Sequence, residues 1–191
     1  MSQEDRVVAH YERLLDAAQW LDVGMSWTVI QPLDEPMDIV EVAELIGGPD
    51  AELQERDVEG LEAFIDEVGP SIMILDLEGG LFSPYESAPL ERLSVGARVW
   101  HLEWNVNGHS CLVYAADGRP RLTMPRLDPR EAHGSNPHAL DHLLRLLPEP
   151  FARLSHASAM ALVQMDSGAH LDLDWLNAPQ QALVFSKGLT P

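Results

Sequence analysis

Cysteine is nearly absent from this chain of 191 residues. Cys111 stands alone, which excludes an internal disulfide and any cysteine-rich zinc site. Lysine is equally scarce, with Lys187 the single example beside eleven arginines. No apolar run approaches the roughly 20 residues that a bilayer-spanning helix needs, so no membrane association is expected. The stretch Met1 to Asp5 lacks the basic start and apolar run of a secretory signal, and the expected location is the cytoplasm. Also missing are a phosphate-binding loop, a dinucleotide-binding glycine turn, a nucleophile elbow and a paired-histidine zinc helix. No cofactor is expected from such a sequence.

What is present is an ordinary globular composition, 46% hydrophobic and 23% charged, of a length that suits one domain over 1–191. The charge is not ordinary. The net value is −19, and residues 1–91 hold 22 acidic side chains against 3 basic ones. The remaining residues balance at 9 of each, so the whole excess lies in the N-terminal half. Such a field disfavours nucleic acid, which is bound by displacing counterions with basic groups. It favours a basic protein or peptide partner and speeds its encounter.

Periodicity divides the chain into elements. Val7, Val8, Tyr11, Leu14, Leu15 and Ala18 make one stripe of a helix over Asp5–Ala18. Ser26–Ile30 reads as a strand, and Met37–Ile46 as a short helix stopped by Gly47-Gly48-Pro49, with an acidic loop after it. Val58, Leu61, Phe64, Ile65 and Val68 predict another amphipathic helix, closed by Gly69-Pro70. Ser71–Glu78 is apolar without alternation, as expected of a strand covered on both faces. A helical turn is expected around Pro89–Leu93. Asn107-Gly108 and Asp117-Gly118, taken as two-residue turns, join Ala97–Val106, His109–Ala116 and Arg119–Met124 into a three-strand meander. In that register Trp104 faces Cys111, Trp100 faces Ala115 and Leu102 faces Val113. One face then carries Trp100, Leu102, Trp104, Cys111, Val113, Leu122 and Met124 as core. Asn136-Pro137 opens a helix with a Leu140, Leu143, Leu144 and Leu147 stripe, and a last helix spans Phe151–Met165. Leu171–Phe185 fits either a short helix or a strand. The expected class is α+β: a mostly antiparallel sheet with the meander, and helices packed on one face.

Four groups of residues could carry chemistry. The outer face of the meander, in the same register, aligns His101, Tyr114 and Arg121, with Glu103 one pair along. This is the preferred surface for a ligand or partner, although polar outer faces are common on antiparallel sheets. Asp76 and Glu78, on one side of a strand end before Gly79-Gly80, could hold a divalent ion or simply mark a strand surfacing into a turn. His170, Asp172 and Asp174 face one way if extended, whereas either aspartate would cap a helix beginning there. His133, His138 and His142 include a metal-competent i, i+4 pair, but that pair points away from the leucine stripe and reads as solvent-facing. Cys111 reads as packing.

The phrases Ser26-Trp27-Thr28-Val29, Gly69–Gly80, Arg92-Leu93-Ser94-Val95-Gly96, Trp104-Asn105-Val106-Asn107, Tyr114-Ala115-Ala116-Asp117-Gly118 and Gly134 to Asp141 resemble a family of small acidic actinobacterial proteins. That family carries a domain of unknown function. The resemblance covers most of residues 20–145, implies a scaffold rather than a reaction, and brings no catalytic residues with it. The bias to arginine agrees with a GC-rich genome. The leading expectation is a non-catalytic, acidic interaction domain, such as a toxin antagonist or an accessory subunit, that engages a basic or peptide partner. A divalent-metal hydrolase built on Asp76/Glu78 or His170/Asp172/Asp174 is the enzymatic alternative. A homodimer joined along a free edge near Arg119–Met124 is the structural one.

Overall fold

The computed structural model describes residues 2–33, 35–49, 51–59, 62–78, 81–82 and 88–185. Among them, eight strands form one antiparallel sheet: β1 (Met25–Pro32), β2 (Ala51–Arg56), β3 (Ala63–Val68), β4 (Ser71–Asp76), β5 (Ala97–Trp104), β6 (Ser110–Ala116), β7 (Arg119–Pro125) and β8 (Gln180–Phe185). Their order across the sheet is β2-β8-β3-β4-β1-β5-β6-β7. The helices are α1 (Gln3–Ala17), α2 (Gln19–Val23), α3 (Ile39–Gly47), α4 (Ala88–Leu93), α5 (Asp141–Leu144), α6 (His156–Ser167) and α7 (Leu173–Leu176). The class is α+β. None of the described helices is long and apolar enough to cross a membrane.

The central strands are apolar on both sides, and the cover follows from that. Along β1, Trp27 and Val29 join Met73, Leu75, Trp100 and Leu102 in a layer sealed by Tyr11 and Leu14 of α1 and Met160 and Leu162 of α6. Ile30 joins Ile72, Ile74, Val99 and Ala115 in a second layer, sealed by Val42 and Ala43 of α3 and Leu90 and Leu93 of α4. Helices therefore lie on both faces, where the sequence reading placed them on one. Every residue of β4 is buried, so an uncovered second face would leave Ile72 and Ile74 in water, each losing about 1.5–3 kcal/mol. α6 is buried nearly all round because α1, α5 and the sheet enclose it, and its alanines permit that close approach.

Several elements differ from the periodic reading. Residues 63–68 form β3, not the end of a helix, because Phe64 and Ile65 pair with Leu75 and Ile74 of β4. The tight turn at Gly69-Pro70, with Gly69 at φ +59°, closes that hairpin. Tertiary pairing overrides a three-and-four spacing that a strand buried on both faces imitates. Leu61 of that reading lies outside the described residues. The acidic stretch after Pro49 is β2, an edge strand held by β8. The ambiguous tail contains both alternatives, α7 and then β8. The last helix begins at His156 behind the Ser155 cap, leaving Phe151 outside it at φ +58°.

The β7 edge expected to be free is occupied. Thr123 and His133 exchange backbone hydrogen bonds at 2.8 and 2.9 Å, and the Asn136 amide donates to the Arg121 carbonyl at 2.7 Å. Gly134 makes this possible. It sits at φ +128°, and a Cβ there would come within 2.4 Å of the Arg121 carbonyl oxygen. A dimer through this edge would have to displace that segment.

Candidate functional site

The first hairpin decides what the meander presents. Its loop has three residues, not two. The Asn105 amide donates to the His109 carbonyl at 3.0 Å and the Gly108 amide to the Asn105 carbonyl at 3.0 Å, with Gly108 at φ +77°. This is a turn followed by a left-handed glycine, the three-residue hairpin pattern. The register moves by one: Trp104 faces Ser110, Leu102 faces Leu112 and Trp100 faces Tyr114. Every β6 side chain thereby changes face. Leu112 and Tyr114 go to the α1/α6 side, while Cys111 and Val113 go to the other. Asp117-Gly118 is the expected two-residue turn, both residues having positive φ. A bulge at the Tyr114/Ala115 step then adds a second one-residue shift, which returns Leu122 and Met124 to the core face.

The expected His101/Glu103/Tyr114/Arg121 face is therefore divided. Tyr114 lies beside Trp100, ring centroids 5.5 Å apart, and burial raises its phenol above the usual range. Arg121 pairs with Asp117 in the neighbouring turn. His101 and Glu103 stay together, on the α3/α4 side of the sheet and mostly enclosed. The structure adds Thr28, Ser26 and His109 to them. Thr28 Oγ1 and His101 Nδ1 are 2.8 Å apart. His101 Nε2 lies 3.5 Å from Glu103 Oε2, an ion-pair distance and not a hydrogen bond. His109 Nε2 meets Glu103 Oε1 at 2.7 Å. Burial alone would raise the Glu103 carboxyl, but His101 and then His109 outweigh it and hold the group below its ordinary value. A hydroxyl, two imidazoles and a carboxylate thus form a chain from the core to the end of the sheet.

Strand pairing extends this into a polar row across four strands. Ser26 faces Asp76 on one side and Glu103 on the other, and Glu103 faces Cys111. Asp76 accepts the Glu78 and Leu81 amides at 3.1 and 2.9 Å, which holds the turn after β4. The Cys111 thiol is pushed up to about 12, first by burial and then by the Glu103 charge, which suits packing rather than attack. Phe82 closes over His101, ring centroids 5.2 Å apart.

The metal-ligand expectations do not converge. Asp76 is an interior turn-holding carboxylate, Glu78 is exposed, and Gly79-Gly80 lies outside the described residues. Asp172 caps α7 through the Trp175 amide at 2.8 Å, with His170 3.7 Å from its other oxygen. Asp174 lies within the first turn of α7. His138 pairs with Asp141, and His142 lies 4.0 Å from Asp166. Among the described residues no three His, Cys, Asp or Glu side chains are placed to hold a metal ion.

Two of the surface concavities combine carboxylates with exposed apolar side chains. A broad groove of about 760 Å³ runs between the β1–α3 connection, α3 and the α4–β5 connection. Glu35, Glu41 and Glu44 line it together with Met37, Leu45 and Val95, and none of its described lining residues is Lys or Arg. Leu45 and Val95 are exposed. A smaller cavity of about 390 Å³ opens at the end of β1 and β5, with Ser26, Glu103 and His109 in its lining and Trp20, Val23 and Val106 around it. Neither was anticipated. The groove needs α3 and the α4–β5 connection side by side, and the cavity needs the corrected hairpin, although the three-residue loop was open to recognition at Asn105–His109.

Comparison with protein-family models, curated proteins and solved structures finds no match. The functional reading therefore rests on these side chains.

Proposed function

We propose that this chain is a non-catalytic interaction domain that engages a basic protein or peptide through its acidic N-terminal half. The carrying observation is the α3 groove, where three glutamates surround exposed apolar side chains with no basic group among the described lining. Apolar contact supplies affinity in such a surface, and the carboxylates choose the sign of the partner and speed its arrival. A partner offering Lys or Arg around one or two apolar anchors fits it best. The antagonist of a basic toxin and the accessory subunit of a larger assembly are the two roles that match.

The test is capture from the native host at low and high salt, with the wild-type chain and a Glu35→Lys/Glu44→Lys variant. Both residues are exposed, and neither makes the Asp38/Glu41 capping box at the start of α3, so the fold is retained. The reading expects one protein that binds the wild type, is released by salt and is lost with the variant. A partner held equally by the variant, or no partner at either salt, overturns it.

A further inference from the structure

The cavity at the end of the sheet has an imbalance that the interaction reading does not use. Glu103 is only 8% exposed, yet it lines an opening of about 390 Å³, within the range of small-ligand sites. A carboxylate offers about four lone-pair directions, and His101 and His109 occupy two at most. Ser26, its neighbour across the strand pair, is 1% exposed, and its hydroxyl has no hydrogen-bond partner among the described residues. An unpartnered buried hydroxyl costs about 1–3 kcal/mol, part of which a donor reaching it from the cavity would recover. Glu78 adds a second carboxylate at the mouth, and no Lys or Arg is among the described residues of the lining. The site is rich in acceptors and negative charge and short of donors.

Its surroundings have the opposite character. Trp20 is 44% exposed and Val106 75%, and with Val23 they form an apolar lip around this polar floor. Exposed apolar groups converging on a concavity mark binding surface more than chance. An anion is disfavoured by both carboxylates, and the described residues provide no set of metal ligands.

We propose that this cavity binds a small organic cation, a protonated primary amine carried on an apolar body. The ammonium brings three donors, which Glu103, Ser26 and Glu78 can accept, and the apolar body rests against the lip, where the Trp20 indole offers it an aromatic face. His109 keeps its bond to Glu103 and acts as a positioning residue, fixing the carboxylate that the ammonium meets.

The test is a titration by two-dimensional nitrogen–proton NMR near neutral pH, using phenethylammonium as probe and neutral 2-phenylethanol as its control. Saturable shifts are expected at the Trp20 indole and at the Gly24, Val106 and His109 amides, with a Kd of about 1 mM or below and the alcohol at least about tenfold weaker. Val23→Lys, an exposed change that places a cation at the mouth, should weaken the amine about tenfold and by several-fold more than it weakens the alcohol, which shares the contact with the lip. Glu103→Gln should remove the preference for the amine. Equal affinity for amine and alcohol, shifts lying elsewhere, or no shift at about 20 mM probe overturns the proposal. Should Glu103→Gln not fold, the Val23→Lys comparison decides alone.

Discussion

Replacing Glu103 with Gln probes the polar chain without changing its shape. The amide keeps the volume and one carbonyl acceptor but removes the negative charge that both histidines address. A hydrogen bond to a charged group contributes about 1.5–3 kcal/mol, and the 2.7 Å contact with His109 is of that kind. The longer His101 contact adds less. An overall loss of about 2 kcal/mol at neutral pH follows, equivalent to roughly 4–8 °C in Tm for a domain of this length. Thermal unfolding followed by circular dichroism reads it. The pH dependence carries the finer test. The folded carboxyl lies below its ordinary value of 4.5, so its contribution is complete above that value and is lost as pH falls through the lowered folded one. The gap between wild type and variant should therefore be full at neutral pH and shrink in acid below about pH 4.5. A variant melting with the wild type at neutral pH, or a gap that stays constant into acid, would refute a charged, histidine-held Glu103.

Gly134→Ala should cost about 1–3 kcal/mol, since φ is +128° and the new Cβ meets the Arg121 carbonyl; hydrogen exchange at the Thr123 and His133 amides should rise with it. Cys111 should resist thiol reagents at mildly alkaline pH until the chain unfolds, because its thiol is buried and raised to about 12; rapid labelling of the folded protein would contradict this. Gly108→Ala, forcing a side chain into φ +77°, should destabilise the first hairpin by about 1 kcal/mol and loosen the His109 contact to Glu103, visible as a shifted His109 ring resonance.

Much of the fold was legible because its signals are local. The α1 stripe, the covered strand Ser71–Asp76 and the Asp117-Gly118 turn each depend on neighbours in sequence. What escaped depends on distant partners. Phe64 and Ile65 are equally compatible with a helix until β4 is beside them. A strand as acidic as Ala51–Arg56 forms only because Gln180–Phe185 returns to pair with it. The site turned on one residue of loop length. Asn107-Gly108 marks a tight turn correctly, but the left-handed glycine closes a three-residue loop, and that count put Val113 instead of Tyr114 opposite His101 and Cys111 opposite Glu103. His101 and Glu103 kept their relation because they share a strand, whereas Tyr114 and Arg121 sit beyond the altered turn and the bulge. Thr28 and Ser26 come from β1, 73 residues from His101 in the Thr28 contact, and no periodicity links such a pair.

The most direct test of the central claim is the salt dependence of partner affinity for the wild type and for Glu35→Lys/Glu44→Lys. Screening shortens charge interactions to about 8 Å at physiological ionic strength, so a partner chosen by this groove should bind the wild type progressively more weakly as salt rises. The double variant should bind about tenfold or more weakly at low salt and show a flattened salt response. A wild-type affinity indifferent to salt, or a variant that matches the wild type throughout, would contradict an acidic groove that selects a basic partner.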